Sequence, residues 1–133
     1  MYKEIIIVIT ILLIVITLND ITQKYTKYCV SEVNSELNEL REKIIQEIYI
    51  EQNENEKLKG SIEKIHKKWD EMYKKLAFYI EHDELEKVET YLTNIRSNIE
   101  TEEFEHSIEN LDNCIFILEH IKDKESLSLA NIF

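Results

Sequence analysis

Apolar residues follow two patterns along the chain. From Ile5 to Leu18 they are continuous, IIIVITILLIVITL, interrupted only by Thr10 and Thr17. Beyond Asn19 they become periodic. Val30, Val33, Leu37, Leu40 and Ile44 are spaced 3, 4, 3, 4, and Leu58, Ile62, Ile65, Trp69, Met72, Leu76 and Tyr79 keep the same alternation. So do Leu85, Val88, Leu92, Ile95 and Ile99, and then Phe104, Ile108, Leu111, Ile115 and Leu118. This spacing puts each set on one stripe of a helix, the seam of a bundle. It predicts an all-α fold: an amino-terminal membrane helix, residues 1–22, followed by an antiparallel up-down four-helix bundle, residues 23–125. The helices are expected at about 24–51, 54–81, 84–99 and 102–122. The connections are too short for crossovers, which is why neighbours should be antiparallel.

The continuous run has three competing readings: a cleaved signal peptide, a buried core helix and a membrane anchor. Its 14 residues fall short of the roughly 20 that span a bilayer, so length alone does not decide. No small-residue cleavage site follows Leu18; the first alanine of the chain is Ala77. A core helix would carry a polar face, and this run has none. An anchor can extend through Met1–Glu4 and Asn19–Ile21, with Lys24, Tyr25, Lys27 and Tyr28 at the interface. The expected reading is an uncleaved anchor that meets the lipid bilayer through Ile5 to Leu18. One lysine precedes the run and two follow it closely, which opposes the positive-inside rule for an exported domain. Long domains translocate largely regardless of charge, and the reading keeps an extracytoplasmic carboxy-terminal domain.

Polar residues mark the joints. Asn53 with Glu56, and Asp83 with Glu86, fit capping boxes opening the second and third helices. Thr101, followed by Glu102 and Glu103, fits the cap of the fourth. In the stretch YIEHDELEKV, His82 sits between carboxylates and falls at the negative end of helix two. The cluster His82, Asp83, Glu84 and Glu86 therefore reads as a structural joint. The tail 126–133, with Leu127, Leu129, Ile132 and Phe133, is expected to pack on the open end of the bundle.

Composition agrees with helices. There is no proline and one glycine, Gly60, in the middle of helix two. The net charge of −11 argues against nucleic-acid binding, because an acidic domain repels phosphates. The charge is uneven: the second helix is basic and the stretch from Glu81 to Asp112 is strongly acidic. Such a pattern favours correct neighbours more than it adds stability.

Candidate chemistry is sparse. Glu63-x-x-His66 and Glu103-x-x-His106 match the Glu-x-x-His unit of di-iron bundles. Each, however, faces outward by its position next to the core residues Ile62, Ile65 and Phe104. No nucleophile motif, phosphate loop or Cys-x-x-Cys occurs. No catalytic, cofactor-binding or metal site is expected. Trp69, on the seam, is expected as a core anchor; with Tyr49, Tyr73, Tyr79 and Tyr91 it can alternatively line a ligand cleft. Counting 1.5 Å per residue along the helices brings Cys29 and Cys114 within a turn of one height. That admits a disulfide between helices one and four, alongside the alternative of two buried thiols.

The apolar amino terminus, Trp69, His82-x-Glu84 and the closing Asn131-Ile132-Phe133 together resemble a bacterial domain-of-unknown-function family of short, single-span, all-helical envelope proteins. The resemblance implies an uncleaved anchor, an extracytoplasmic helical domain and a multi-span membrane protein as partner. It defines no catalytic residues. The function expected is a non-enzymatic, membrane-anchored interaction or accessory module. The alternative is a sensor-like bundle binding a small ligand between helices, and a metal-dependent enzyme ranks last.

Overall fold

The computed structural model describes residues 1–51 and 53–130, the last four as backbone only. The described chain is all-α and forms four helices, without strands: α1 Tyr2–Ile50, α2 Asn55–Leu76, α3 His82–Glu100 and α4 Phe104–Ala130. Each helix packs on its two neighbours in chain order, and α4 closes the ring against α1. Among the described residues no close backbone approach joins the two diagonal pairs, and the buried residues of all four helices form one shared core.

The core follows the predicted seams on the first three helices, except that Tyr79 is only partly buried; on α4 the buried stripe is Ser107, Leu111, Cys114, Leu118 and Ile121, and Phe104, Ile108 and Ile115 of the expected stripe are only partly buried. Leu37, Ile44, Ile62, Leu85, Val88, Leu92, Ile95, Ile99, Leu111 and Leu118 have no exposed surface, and Trp69 is 1 % exposed. The seam of α1 stops mattering below Thr22. Residues 1–18 are exposed throughout, while Thr26, Cys29 and Val30 are buried. The helix itself does not stop. With no proline or glycine from Tyr2 to Ile50 to interrupt the backbone ladder, the apolar run and the first bundle helix form one 49-residue rod. That rod is long and apolar enough to cross a membrane.

Cross-helix pairs fix the register. Against α4, Gln23 donates to the Glu125 carbonyl, Asn34 to the Glu119 carboxylate and Arg41 to Asp112. Against α2, Lys68 reaches Glu32 and Glu36 at 3.1 and 2.5 Å, and the Tyr79 hydroxyl meets Thr26 and the Thr22 carbonyl. Between α2 and α3, His66 meets Glu89 and Tyr73 meets His82. The basic α2 thus finds acids on both sides, as its charge pattern suggests.

The joints are built differently from the sequence expectation. Asn53 does not cap α2. It takes φ 54°, a left-handed conformation that asparagine tolerates, and serves to turn the chain. The N-cap position is Glu54, and its amide donates to the Glu47 carboxylate of α1 at 3.3 Å. Asp83 does not cap α3 either. The cap position is Glu81, whose carbonyl accepts from Glu84 and Leu85. Asp83 and Glu84 lie in the first turn, where Asp83 favours α3 through the helix dipole. Thr101 ends α3 instead of opening α4; its hydroxyl bonds back to Ser97. Glu102, at φ 59°, and Glu103 close a Schellman turn through bonds to the Ile99 and Asn98 carbonyls. α2 stops at Leu76, five residues before the expected end. α4 runs on through Ser126 to Ala130; the expectation that 126–133 packs on the bundle falls on side chains and residues outside those described.

Replacing Asp83 by alanine should therefore cost less than about 0.5 kcal/mol in a denaturant melt. A loss above 1 kcal/mol would mean that its carboxylate does more than meet the dipole.

Candidate functional site

Two constellations bring together the polar residues that the sequence singled out. The first joins α2 to α3. Trp69 meets Tyr73 edge-on at 6.3 Å, and Tyr73 stacks on His82 at 6.4 Å with its hydroxyl 3.4 Å from Nδ1. Two residues on, Glu84 is almost buried and contacts Lys124 at 3.2 Å and His120 at 3.9 Å on α4. Lys124 also holds Glu81 at 3.3 Å. Trp69, His82 and Glu84 thus knit three helices at one end of the bundle. Glu86 is exposed and takes no part.

The second lies on the outer α2–α3 groove. His66 Nε2 is 2.5 Å from Glu89, and Asp70, one turn along α2, brings its carboxylate into the same group. The Glu-x-x-His reading pointed His66 at Glu63, but Glu63 is exposed. The partner comes from the next helix, where only the register between helices could have identified it. His66, Asp70 and Glu89 offer three donors that fit a weakly held divalent cation. Asp70 is exposed and Glu89 is 40 % exposed, so water competes for both. His106 lies on an exposed face, 3.9 Å from Glu109. The two Glu-x-x-His units do not approach each other, and the seams between them are filled by apolar side chains.

A groove lies at the opposite end, where the Glu51–Asn55 and Thr101–Glu103 joints meet. It measures about 670 Å³ and is lined by Glu47, Glu51, Asn55, Glu102, Glu105 and His106, among others. It is open and acidic, and it is remote from Trp69, where a ligand cleft was the alternative expectation.

Cys29 and Cys114 are both buried and free. The register corrects their heights. Asn34 with Glu119 and Arg41 with Asp112 set Cys29 level with Lys124 and Cys114 level with Glu39. The two are about ten positions apart, some 15 Å, and a disulfide needs Cα atoms within about 7 Å. Burial pushes the Cys29 thiol up, and it pushes Cys114 up to about 12. Neither is a ready nucleophile. A disulfide-exchange reagent at pH 8 should therefore label neither cysteine in the folded chain and both in denaturant without reductant. A requirement for reductant would restore the bridge.

One more paired group lies between α1 and α4. The Lys122 ammonium, then the Asn34 amide, hold the Glu119 carboxyl below the usual carboxylate range. Its contribution to stability is present above the ordinary carboxylate pKa and fades as the pH falls through the lowered value.

The chain matches the family described as Domain of unknown function (DUF4363) over residues 21–132. The match begins just past the apolar run and takes in the whole bundle. No curated protein and no solved structure matches it.

Proposed function

The chain belongs to the DUF4363 family, and from that premise we propose that it is a single-pass membrane protein whose extracytoplasmic bundle is a non-catalytic interaction module. The observation that carries this reading is the first third of α1. It is apolar, exposed from Ile5 to Leu18, and continuous with a bundle that needs none of it for its core. Such a surface is stable only in lipid or against another apolar helix. The bundle is read as up-down and antiparallel. Supporting this, partners on α4 and α2 descend in number as those on α1 rise.

The partner suggested is a multi-span membrane protein. Phe116, 69 % exposed on α4 between the partly buried Ile115 and Ile117, gives the flank of the bundle an apolar contact. Extraction of the tagged chain from native membranes in mild detergent should recover such a protein, and Phe116→Lys should reduce its recovery. Repeated recovery of the chain alone would remove the accessory role. A second reading, a sensor-like bundle, draws on the acidic groove beside Glu47 and Glu102. It would take a cationic ligand at the distal joints rather than a molecule between the helices.

A further inference from the structure

We propose that the α2–α3 joint docks on the bilayer and that Phe78 enters its interface as a second, non-covalent anchor. This rests on the membrane-anchor reading above and extends it to a part of the chain remote in sequence from the span.

The composition of the joints is the first observation. The two at the far end are polar, around Glu51 to Asn55 and Thr101 to Glu103. The one at the near end is Ala77-Phe78-Tyr79-Ile80, four residues without a charge, before the cap residue Glu81. Turns exposed to water usually carry Gly, Asn, Asp or Ser. Leu76 and Ile80 turn inward, while Phe78 is 89 % exposed. No other aromatic residue of the bundle is as bare, Tyr49 at 82 % being next.

Height is the second. The Tyr79 hydroxyl bonds to Thr26 and to the Thr22 carbonyl, and Lys68 to Glu32 and Glu36. That register puts Phe78 beside residue 24 of α1, about where the span ends. A span of about 20 residues ends at Asp20 if counted from Met1 and at Lys24 if counted from Ile5. At 1.5 Å per residue, Phe78 then lies within about 6 Å of the hydrocarbon boundary. The interfacial zone is about 5–8 Å deep on each side, so the ring falls inside it. Because α1 is one unbroken helix, no hinge lets the joint drift from that height.

Backbone chemistry is the third. The amides of Ala77, Phe78, Tyr79 and Ile80 all donate to carbonyls of the preceding turn, at 2.9 to 3.2 Å. A joint with its amides satisfied can leave water without leaving donors unpaired. Tyr28 is exposed on α1 nearby, and Lys75 stands 5.5 Å over the ring of Tyr25. Aromatic rings with lysine at their edge are the residues found at headgroup level. Acids and bases interleave around the joint, Lys74 and Lys75 against Glu81 and Asp83, so the recognition is of the interface itself and not of lipid charge.

Intrinsic fluorescence tests this on the full chain in vesicles of phosphatidylcholine brominated near the top of its acyl chains. Trp69 is the one native tryptophan. It is buried and level with about Val33, some 14 Å beyond residue 24, so the unaltered chain should keep its emission. Phe78→Trp replaces one exposed ring by another and should lose about half of its total emission to bromine, the share of the introduced indole. Ile14→Trp, within the span, reports the anchor separately. Quenching of Ile14→Trp with none of Phe78→Trp would leave the anchor standing and overturn the docking; Phe78 would then be free for a protein partner. Quenching of neither would remove the anchor and the docking together.

Discussion

Replacing Trp69 by alanine is expected to lower the unfolding free energy by about 3–5 kcal/mol. The indole is 1 % exposed and is among the largest fully buried side chains. It sits on the α2 seam and meets Tyr73 edge-on, so its loss opens a cavity and also ends the aromatic run to His82. Single domains are stable by only about 5–15 kcal/mol, so this one change brings the bundle near to unfolding. Urea melts followed by far-ultraviolet circular dichroism measure it without relying on tryptophan emission. Trp69→Phe should lose less than half as much. It keeps an aromatic contact for Tyr73 and removes an indole N–H that has no acceptor among the described residues. Equal losses in the two variants would show that the N–H is satisfied in the folded protein and contributes to it.

Deleting residues 2–18 should have an effect as large in location and almost none in stability. Twelve of the fourteen residues from Ile5 to Leu18 are apolar. At about 0.3–0.6 kcal/mol each on the insertion scale, they favour the membrane by about 4–7 kcal/mol, or roughly three to five orders of magnitude in partitioning. The shortened chain should appear in the supernatant after ultracentrifugation, while the full chain stays in the pellet through high-salt and carbonate washes. None of the deleted side chains belongs to the core, so the melting curve of the bundle should be unchanged. A large fall in melting temperature would mean that the apolar run packs on the bundle, and the anchor reading would fail.

The seams were legible because burial follows a 3.6-residue period and little else. Leu58, Ile62, Ile65, Trp69, Met72 and Leu76 can be read from spacing, and all six are buried. The joints were not legible. Asn53, Asp83 and Thr101 are residue types that cap helices, but the same types also turn chains and close helix ends. Here the backbone does most of the work, with Glu102 in a left-handed conformation that sequence reading reserves for glycine. Boundaries missed by a few residues then accumulate. The heights of Cys29 and Cys114 were reckoned along a path through all four helices, and the errors summed to about 15 Å. The His66–Glu89 contact was out of reach for the same reason, since it depends on register between helices. The exposure of Phe78 was different: the signal, four uncharged residues in a row at a joint, was present in the sequence and was absorbed into the α2 seam.

On the membrane-anchored reading proposed above, the unbroken α1 rod would make the protein a lever. The Glu47 end of the bundle stands about 40 Å above residue 22 along the helix axis. Transmembrane helices tilt by about 20° on average, so a tilt of that size would swing the acidic groove sideways by roughly 14 Å. A change in bilayer thickness, or a neighbour that leans on the span, would be read out at the far end as displacement without any change of fold. A bilayer contact at Phe78 would act as a strut against that swing, so loosening the joint would widen the arc that the distal end can sweep.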